Sequence, residues 1–523
     1  MEPLPTSKPH GPPAGQPPHE ADRQLPSGRR QRWGLWAGLA LFALMLAMEP
    51  PAGLGAAGWR TAAVTALMAI WWMSEAIPIP ATSLVPLALF PLLGVGGARE
   101  VAAPYANPLI FLFMGGFLIA LAMERWRLHR RLALLILRAV GTRPRQVIGG
   151  FMLASAGLSM WISNTATAMM MMPIGLSVVG LAAGEETDGQ RSGDARELGV
   201  CVLLAIAYAC SLGGVATLVG TPTNAVLAGF MLESYGVEIA FADWMRVGLP
   251  IALVGLAVTY LVLTRWAYPP RLEEIPGGRA FLDGSLKALG PTSRAEWTVA
   301  AVFGLVACLW IGRRWLTPFL PGLTDSTTAM LGALLLFVLP SGAGDGGRAL
   351  DWESARRLPW GVLLLFGGGL SLASQIRDSG LAAFIGGRLE HASGLPILAL
   401  SFLTVLVIVF LTELTSNTAT ASAFLPILAS IAIGLGEDPL TLLVPAAIAA
   451  SCAFMLPVAT PPNAIVYGSG MVTIPQMVRA GVVLNAIFTV LVTLLAWLLL
   501  PWALGVEPGA LPPWAAAATA PSP

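Results

Sequence analysis

Long runs of apolar residues recur along most of this chain, and short polar stretches separate them. An α-helix needs about 20 such residues to cross a bilayer. We therefore predict about eleven membrane-crossing helices, two of them interrupted, at residues 33–48, 61–76, 79–95, 108–123, 200–230, 244–267, 297–311, 327–339, 359–374, 440–471 and 480–500. The pattern predicts an all-α polytopic membrane protein.

Two further apolar segments, 147–180 and 396–435, are too long for one crossing, and each has a polar phrase near its middle. The phrase is Ser-Asn-Thr-Ala-Thr in both, at 163–167 and at 416–420. Irregular backbone is tolerated at membrane depth only where protein buries it or where it lines a watery cavity. Both segments are therefore predicted to be re-entrant hairpins, which enter and leave the membrane on the same side.

The phrase belongs to a long internal repeat. Equivalent residues in the two copies, such as Asn164 and Asn417, are 253 positions apart. A second phrase follows in each half, Gly-Thr-Pro-Thr-Asn at 220–224 and Ala-Thr-Pro-Pro-Asn at 459–463, with an offset of 239. The polar stretch 184–197, present only in the first half, accounts for the difference between the two offsets.

Basic residues predict the orientation. Arg23, Arg29, Arg30 and Arg32 precede the first apolar run, and Lys and Arg favour the cytoplasmic side, so the N-terminus is predicted to be cytoplasmic. Four crossings later, the chain reaches its densest basic stretch, at 125–145. Five crossings separate the two hairpins, so the hairpins enter from opposite faces. This arrangement is an inverted-topology repeat, and the odd total places the C-terminus outside.

The polar phrases suit a small-solute site. A helix that breaks inside the membrane exposes unpaired N–H groups at one end and unpaired carbonyls at the other, which favour anions and cations respectively. Asn offers a donor and an acceptor on one side chain, and Ser and Thr hydroxyls do the same at smaller size. Since none of the four phrases contains Lys or Arg, a bound anion would need helix ends and cations to balance its charge. Binding of the two solutes would then be coupled.

Composition narrows the function. Hydrophobic residues make up 56% of the 523 residues and charged residues 11%, and the net charge of +1 indicates no nucleic-acid partner. The four histidines lie in the tail or in lateral segments, and the intramembrane carboxylate candidates are Glu75 and Glu413. Proton-driven carriers usually place such groups within the membrane, so this distribution favours sodium. With no converging carboxylate pair or core histidine, the chain is not expected to be an enzyme.

These phrases, together with Trp-Trp-Met-Ser-Glu-Ala-Ile-Pro at 71–78, resemble the divalent anion–sodium symporter family, the sodium-coupled di- and tricarboxylate transporters. The resemblance covers about residues 33–500. It implies an eleven-span homodimer in which a transport domain moves against a scaffold by an elevator motion. Two departures stand out: Thr223 replaces the family's usual second proline, and Thr415 adds a hydroxyl.

The resemblance also implies functional residues. Substrate carboxylates would contact Asn164, Thr165, Asn417, Thr418, Thr460 and Pro461. One sodium would lie among Ser159, Ser163, Asn164 and Gly220, and a second among Thr412, Thr415, Asn417 and Ala459. Backbone carbonyls are expected to supply the coordination near Thr415.

The predicted units alternate between scaffold helices and repeat cores. They are a disordered cytoplasmic tail (1–32), scaffold helices (33–95), the first repeat core (107–243) with a lateral helix, hairpin 147–180 and broken helix 200–230, scaffold helices (244–340), the second repeat core (359–471) with hairpin 396–435 and broken helix 440–471, a last helix (480–504) and a tail (505–523).

The predicted function is sodium-coupled symport of C4-type dicarboxylates such as succinate, malate or fumarate. The predicted location is a plasma membrane, the inner membrane in bacteria. A sodium-independent dicarboxylate exchanger and a sulfate or tricarboxylate transporter of the same family remain as alternatives. A channel would differ from all of these, because it could not accumulate solute against a gradient.

Overall fold

A computed structural model of the protein describes residues 28–183, 189–342, 346–389 and 395–517. Regular structure in these ranges is helical, apart from an isolated bridge between Pro340 and Arg348. Seven of the described helices are long and apolar enough to cross a membrane: Ala98–Arg125, Asn164–Ala183, Gly193–Val215, Phe241–Ala267, Arg294–Leu316, Asn417–Gly434 and Ile474–Leu504. The all-α membrane fold is confirmed, and the count of eleven crossings stays a prediction.

The α-helices in chain order are α1 (Arg29–Ala47), α2 (Ala56–Ser74), α3 (Ile79–Thr82), α4 (Val85–Leu92), α5 (Ala98–Ala102), α6 (Pro108–Arg125), α7 (Leu128–Val140), α8 (Pro144–Ser159), α9 (Asn164–Ala183), α10 (Gly189–Val215), α11 (Pro222–Tyr235), α12 (Phe241–Leu261), α13 (Gly278–Ala288), α14 (Arg294–Leu316), α15 (Asp325–Val338), α16 (Trp352–Ala355), α17 (Trp360–Asp378), α18 (Leu381–Leu389), α19 (Ile397–Thr412), α20 (Asn417–Gly434), α21 (Leu440–Ala449), α22 (Pro461–Gly468), α23 (Ile474–Leu504) and α24 (Pro513–Ala517). A 3₁₀ turn at Ala103–Ala106 precedes α6, and a π-helical turn at Val262–Ala267 follows α12.

Helix boundaries repeat with the offsets found in the sequence. Helices α8 and α19 end at Ser159 and Thr412, and α9 and α20 begin at Asn164 and Asn417, each pair 253 positions apart. Each of the two predicted hairpins, 147–180 and 396–435, therefore consists of two helices, and the Ser-Asn-Thr phrase lies at the break between them. The break leaves helix ends with unpaired backbone groups at the tip.

The two broken helices follow the second offset. Helix α10 ends at Val215 before α11 begins at Pro222, and α21 ends at Ala449 before α22 begins at Pro461. Proline suits the first position of a helix, because that position needs no N–H. The chain is thus unwound over 216–221 in the first half and 450–460 in the second.

Three boundaries differ from the sequence prediction. The disordered tail does not reach residue 32, since α1 begins at Arg29, where the Gly28 N–H donates to Gln31 Oε1 at 2.8 Å. Residues 1–27 lie outside the described part. The first broken helix is longer than predicted, because α10 begins at Gly189. The short helix α24 lies within the predicted C-terminal tail.

The predicted crossing at 79–95 is two short helices, α3 and α4, separated at Ser83 and Leu84. Pro80, Pro86 and Pro91 interrupt this segment. A proline lacks the N–H of the helical ladder and clashes with the carbonyl four residues earlier, so a continuous helix is unfavourable here.

A buried apolar cluster joins α2 to the second arm of the second hairpin. Trp72 of α2 and Phe90 of α4 pack with Leu365 of α17 and with Ala419 of α20. Trp72 is fully buried, and its ring N–H donates to Ser83 Oγ at 3.3 Å. The small side chain of Ala419 allows the helices to approach closely at this contact.

Candidate functional site

The first hairpin tip holds a hydroxyl against an amide. Ser159, the last residue of α8, lies with its Oγ 2.5 Å from Oδ1 of Asn164, the first residue of α9. Ser163 caps α9, because its Oγ accepts from the Ala166 N–H at 3.2 Å. Ser159 is fully buried, whereas Asn164 is half-buried and so remains open to a ligand.

Backbone carbonyls surround the same amide atom. The carbonyl oxygens of Cys210 and Gly220 lie 3.2 and 3.3 Å from it. If the atom is nitrogen, the amide donates to both carbonyls and to Ser159. If it is oxygen, it joins the Ser159 hydroxyl and the two carbonyls in a group of four oxygens. Its distances to the two carbonyls are close to the roughly 3.4 Å between ligands that each lie about 2.4 Å from a hard cation, whereas its 2.5 Å distance to the Ser159 oxygen is that of a hydrogen bond. The arrangement can therefore hold a small cation.

Glycine makes room for this cluster. A Cβ on Gly214 would lie 2.8 Å from Asn164 Oδ1 and 3.0 Å from the Gly220 carbonyl oxygen. A Cβ on Gly220 would lie 2.5 Å from the Gly214 oxygen. Contacts that short force neighbouring atoms to move, so only bare backbone fits on this side of Asn164.

The second hairpin tip repeats the hydroxyl–amide pair. Thr412, the last residue of α19, has its Oγ1 2.7 Å from Oδ1 of Asn417. The same hydroxyl lies 3.0 Å from the carbonyl oxygen of Ala450, in the second unwound segment. In both halves, the hydroxyl residue five positions before the asparagine contacts its amide oxygen. In both halves, a backbone carbonyl of the broken helix also lies within about 3.3 Å of this pair.

A second asparagine in each half closes the unwound segment. Asn224 Nδ2 donates to the carbonyls of Gly214 and Thr217, at 3.2 and 2.8 Å. Asn463 Nδ2 donates at 3.1 Å to those of Ala453 and Leu456, which lie 239 positions later. Both asparagines are fully buried. They fix the shape of each break through bonds to its backbone carbonyls.

Glu413 fixes the second break. Its carboxylate accepts the N–H groups of Phe454, Met455 and Leu456, at 2.7, 2.9 and 2.9 Å. The Asn485 side chain of α23 also donates to it, at 2.7 Å. Glu413 is only 3% exposed. With four donors on its two oxygens, this carboxylate stabilises the unwound backbone.

In the first half, a different contact occupies the equivalent place. Residue 160, 253 positions before Glu413, is Met160, whose carbonyl accepts from Thr217 Oγ1 at 2.5 Å. The same Thr217 hydroxyl accepts the Gly220 N–H at 3.1 Å. Each hairpin tip is thus bonded to the unwound helix of its own half, by a neutral contact in one and by a carboxylate in the other.

The family described as "Sodium:sulfate symporter transmembrane region" matches residues 29–503. The chain belongs to this sodium:sulfate symporter family. The resemblance seen in the polar phrases is therefore confirmed, and the fold described above is that of a multi-pass membrane transporter family.

Relatives in the sodium:sulfate symporter family are close along nearly the whole chain. The sodium-dependent dicarboxylate transporter SdcS of Staphylococcus saprophyticus is 42% identical over 483 residues, which is 91% of this chain and 92% of that protein. SdcS of Staphylococcus aureus (strain USA300) is 42% identical over 492 residues, which is 93% of this chain and 95% of that protein.

Two solved structures share the fold at low identity. The YdaH transporter of Alcanivorax borkumensis superimposes with a TM-score of 0.57 at 13% identity, over 84% of this chain and 99% of that one. MtrF of Neisseria gonorrhoeae superimposes with a TM-score of 0.56 at 13% identity, over 92% of this chain and 99% of that one.

The other predicted substrate residues vary in exposure. Thr165, Thr418 and Asn417 are half-buried. Thr460 is buried and caps α22, because its Oγ1 accepts the Asn463 N–H at 3.3 Å, while Pro461 is exposed. Of the six predicted substrate residues, Thr460 is thus the one whose side chain is buried.

The predicted sodium residue Thr415 points its hydroxyl elsewhere. Its Oγ1 lies 3.0 Å from the Leu411 carbonyl oxygen and 2.7 Å from Thr420 Oγ1. Isoleucine stands at the equivalent position 162, and the hydroxyl of Thr167, the counterpart of Thr420, has no partner in the described part of the chain. The extra hydroxyl therefore stabilises the second tip internally.

Sequence reasoning missed several contributors to the site: Cys210, Gly214, Thr217 and Ala450. Cys210 and Ala450 contribute backbone carbonyls, which leave no signature in the sequence because every residue has one. Gly214 had a signal, since it follows another glycine in a fully buried helix six residues before the Gly-Thr-Pro phrase.

Proposed function

We propose that this protein is a secondary active transporter that couples sodium entry to uptake of C4-type dicarboxylates such as succinate, malate or fumarate. One observation carries the proposal: the hydroxyl–asparagine pair is duplicated at two helix breaks, Ser159 with Asn164 and Thr412 with Asn417. Two relatives that cover almost the whole chain are sodium-dependent dicarboxylate transporters, which supports the choice of both solutes.

The two sodium ions are proposed to bind at the two tips. The first lies among Ser159, Ser163, Asn164 and Gly220, where the carbonyl of Cys210 adds a fifth oxygen. The second lies among Thr412, Asn417, Ala459 and the backbone carbonyl of Thr415. Hard cations take oxygen ligands, and both tips supply them.

The dicarboxylate is proposed to contact Asn164, Thr165, Asn417, Thr418, Thr460 and Pro461. When Asn164 turns its amide oxygen to a sodium, its nitrogen points away from the Ser159, Cys210 and Gly220 oxygens and becomes free to donate to a carboxylate. The same side chain then serves both solutes. Without Lys or Arg in the phrases, the anion binds well only when cations are present, which is the basis of symport.

The remaining architecture follows the family resemblance. We propose a homodimer in a bacterial plasma membrane, with the N-terminus cytoplasmic and the C-terminus outside. The two halves form an inverted repeat, and residues 107–243 and 359–471 carry the site. The broken helices hold half-helix ends at the site, as in other secondary transporters built from inverted repeats.

The test is uptake of labelled succinate into proteoliposomes that contain the purified protein. We expect saturable accumulation driven by an inward sodium gradient and little uptake when choline replaces sodium. Equal uptake in choline, stimulated by succinate inside the vesicles, would establish a sodium-independent exchanger instead. Competition by sulfate and citrate is measured in the same assay, because the family description includes sulfate, and stronger inhibition by either would overturn the dicarboxylate assignment.

A further inference from the structure

One hydroxyl pair connects the start of α11 in the first half to the unwound segment of the second half. Thr223, which stands where the second half has Pro462, is fully buried, and its Oγ1 lies 2.8 Å from Ser451 Oγ. Thr221 Oγ1 approaches the same Ser451 hydroxyl, at 3.4 Å. These contacts join residues 228 and 230 positions apart, one from each half of the repeat.

The pair lies between the two candidate cation sites. On one side, Thr221 follows Gly220, whose carbonyl oxygen is 3.3 Å from the Asn164 amide. On the other side, Ser451 follows Ala450, whose carbonyl oxygen is 3.0 Å from Thr412 Oγ1. A short series of covalent neighbours and hydrogen bonds thus runs from the first site to the second.

The segments on both sides of the pair are held in fixed shapes. Asn224, next to Thr223, donates to the Thr217 carbonyl at 2.8 Å, and the Thr217 hydroxyl accepts the Gly220 N–H at 3.1 Å, so Thr217 ties Gly220 to the start of α11. Ser451 itself is 1% exposed. A cation that draws the Gly220 carbonyl inward would therefore pull on Ser451, and through it on the Ala450 carbonyl at the second site.

We propose that the hydrogen bond between Thr223 and Ser451 couples the two sodium sites, so that occupation of one raises the affinity of the other. This rests on the proposed function. Both are positioning residues, because neither belongs to the residues proposed above to hold sodium. Coupling of this kind is a free energy shared between two sites, and mutant cycles measure it directly.

The hydrogen bond between Thr223 and Ser451 is called the bridge below. Four variants of these two residues test it through the sodium dependence of succinate uptake. Thr223→Val and Ser451→Ala should each raise the half-saturating sodium concentration about fivefold, which equals about 1 kcal/mol, and lower the Hill coefficient for sodium. The double variant should be no worse than either single variant. Thr223→Ser, which keeps the hydroxyl, should behave as the unmodified protein.

Two further variants show whether the effect comes from loss of the hydrogen bond or from a general change in packing. Thr223→Pro removes the hydroxyl but suits the second position of α11, which needs no N–H, and should match Thr223→Val. Thr259→Val makes the same change at a buried hydroxyl without a partner in the described residues, and should change nothing.

The outcomes separate the bridge from the proposed function. Sodium-dependent uptake by the unmodified protein supports the function by itself. If uptake is sodium-dependent but the two single effects add in the double variant, or if the folded Thr223→Val protein keeps the same Hill coefficient, the bridge is wrong and the function stands. An unmodified protein without any sodium response would overturn both.

Discussion

Arg127 and Gly380 lie 253 positions apart, and both have left-handed backbone, with φ of 58° and 80°. Arg127 separates α6 from α7, and Gly380 separates α17 from α18. The junction between α6 and α7 is therefore the same turn as the junction between α17 and α18. A left-handed residue with a side chain is disfavoured by about 1–2 kcal/mol, so the first half carries strain that glycine relieves in the second.

Substitutions at the two left-handed positions are predicted to change stability in opposite directions. Gly380→Ala should lower the free energy of unfolding by about 1 kcal/mol, because a Cβ there meets open space and only the backbone conformation costs energy. Arg127→Gly should raise it or leave it unchanged. Thermal unfolding in detergent measures both. Equal shifts for the two variants would contradict a shared left-handed turn.

The hairpin asparagines should be essential for transport. Asn164→Ala and Asn417→Ala each remove an amide that is proposed to contact both solutes, and a bond to a charged group contributes about 1.5–3 kcal/mol. Uptake at subsaturating succinate should fall more than tenfold. The variants should elute as folded protein on gel filtration. Normal transport by both would show that the site lies elsewhere.

Gly214 should be intolerant of any side chain. Gly214→Ala places a Cβ 2.8 Å from Asn164 Oδ1 and should abolish sodium-driven uptake. Gly157→Ala is the matched control, because Gly157 lies on α8 with nothing within 4 Å of its Cβ position. That variant should transport normally and be slightly more stable, since alanine favours helix. Similar loss in both would point to a general effect on folding.

Glu413 should act through the backbone that it holds. Glu413→Gln leaves an amide nitrogen facing N–H donors, so the second break loses at least one charge-assisted bond. Stability should fall by about 2–3 kcal/mol. Asn485→Ala, which removes one donor and leaves three N–H groups, should cost less. The measurement is the thermal unfolding midpoint of each variant beside its succinate uptake; a fully stable Glu413→Gln would contradict this role.

Asp438 predicts a pH dependence of stability. It lies in the loop between α20 and α21, and burial raises its pKa from 3.8 to about 6, although the Leu440 N–H donates to its Oδ1 at 2.9 Å. The folded chain therefore binds this proton more tightly than the unfolded chain. The stability from this group is fully present below about pH 4 and is lost as the pH rises through about 6.

Asp438→Asn keeps the acceptor for Leu440 and cannot ionise. The variant and the unmodified protein should be equally stable near pH 4, and the variant should become the more stable of the two as the pH rises to about 7. The unfolding midpoints of the two proteins, measured across this range, provide the check. Parallel pH profiles would show that the Asp438 carboxyl keeps its ordinary pKa in the folded protein.

Much of the helical order follows from local sequence. Helices begin at Pro222 and Pro461 because proline suits a first turn, and these starts could be placed from the sequence. The break at Ser83 was missed because the apolar run 79–95 hides its prolines from a hydropathy reading. The start of α1 at Arg29 does not follow from hydropathy, because residues 29–32 are mostly polar and basic and resemble the tail that precedes them.

The two hydroxyl–asparagine pairs follow from the order of residues along the chain. Ser159 and Asn164, like Thr412 and Asn417, are five residues apart across a helix break, so their contact is local. Tertiary packing selects the carbonyls that face these pairs, and it brings Thr223 against Ser451 of the other half. Every residue carries a carbonyl, and packing alone selects the few that converge on a site.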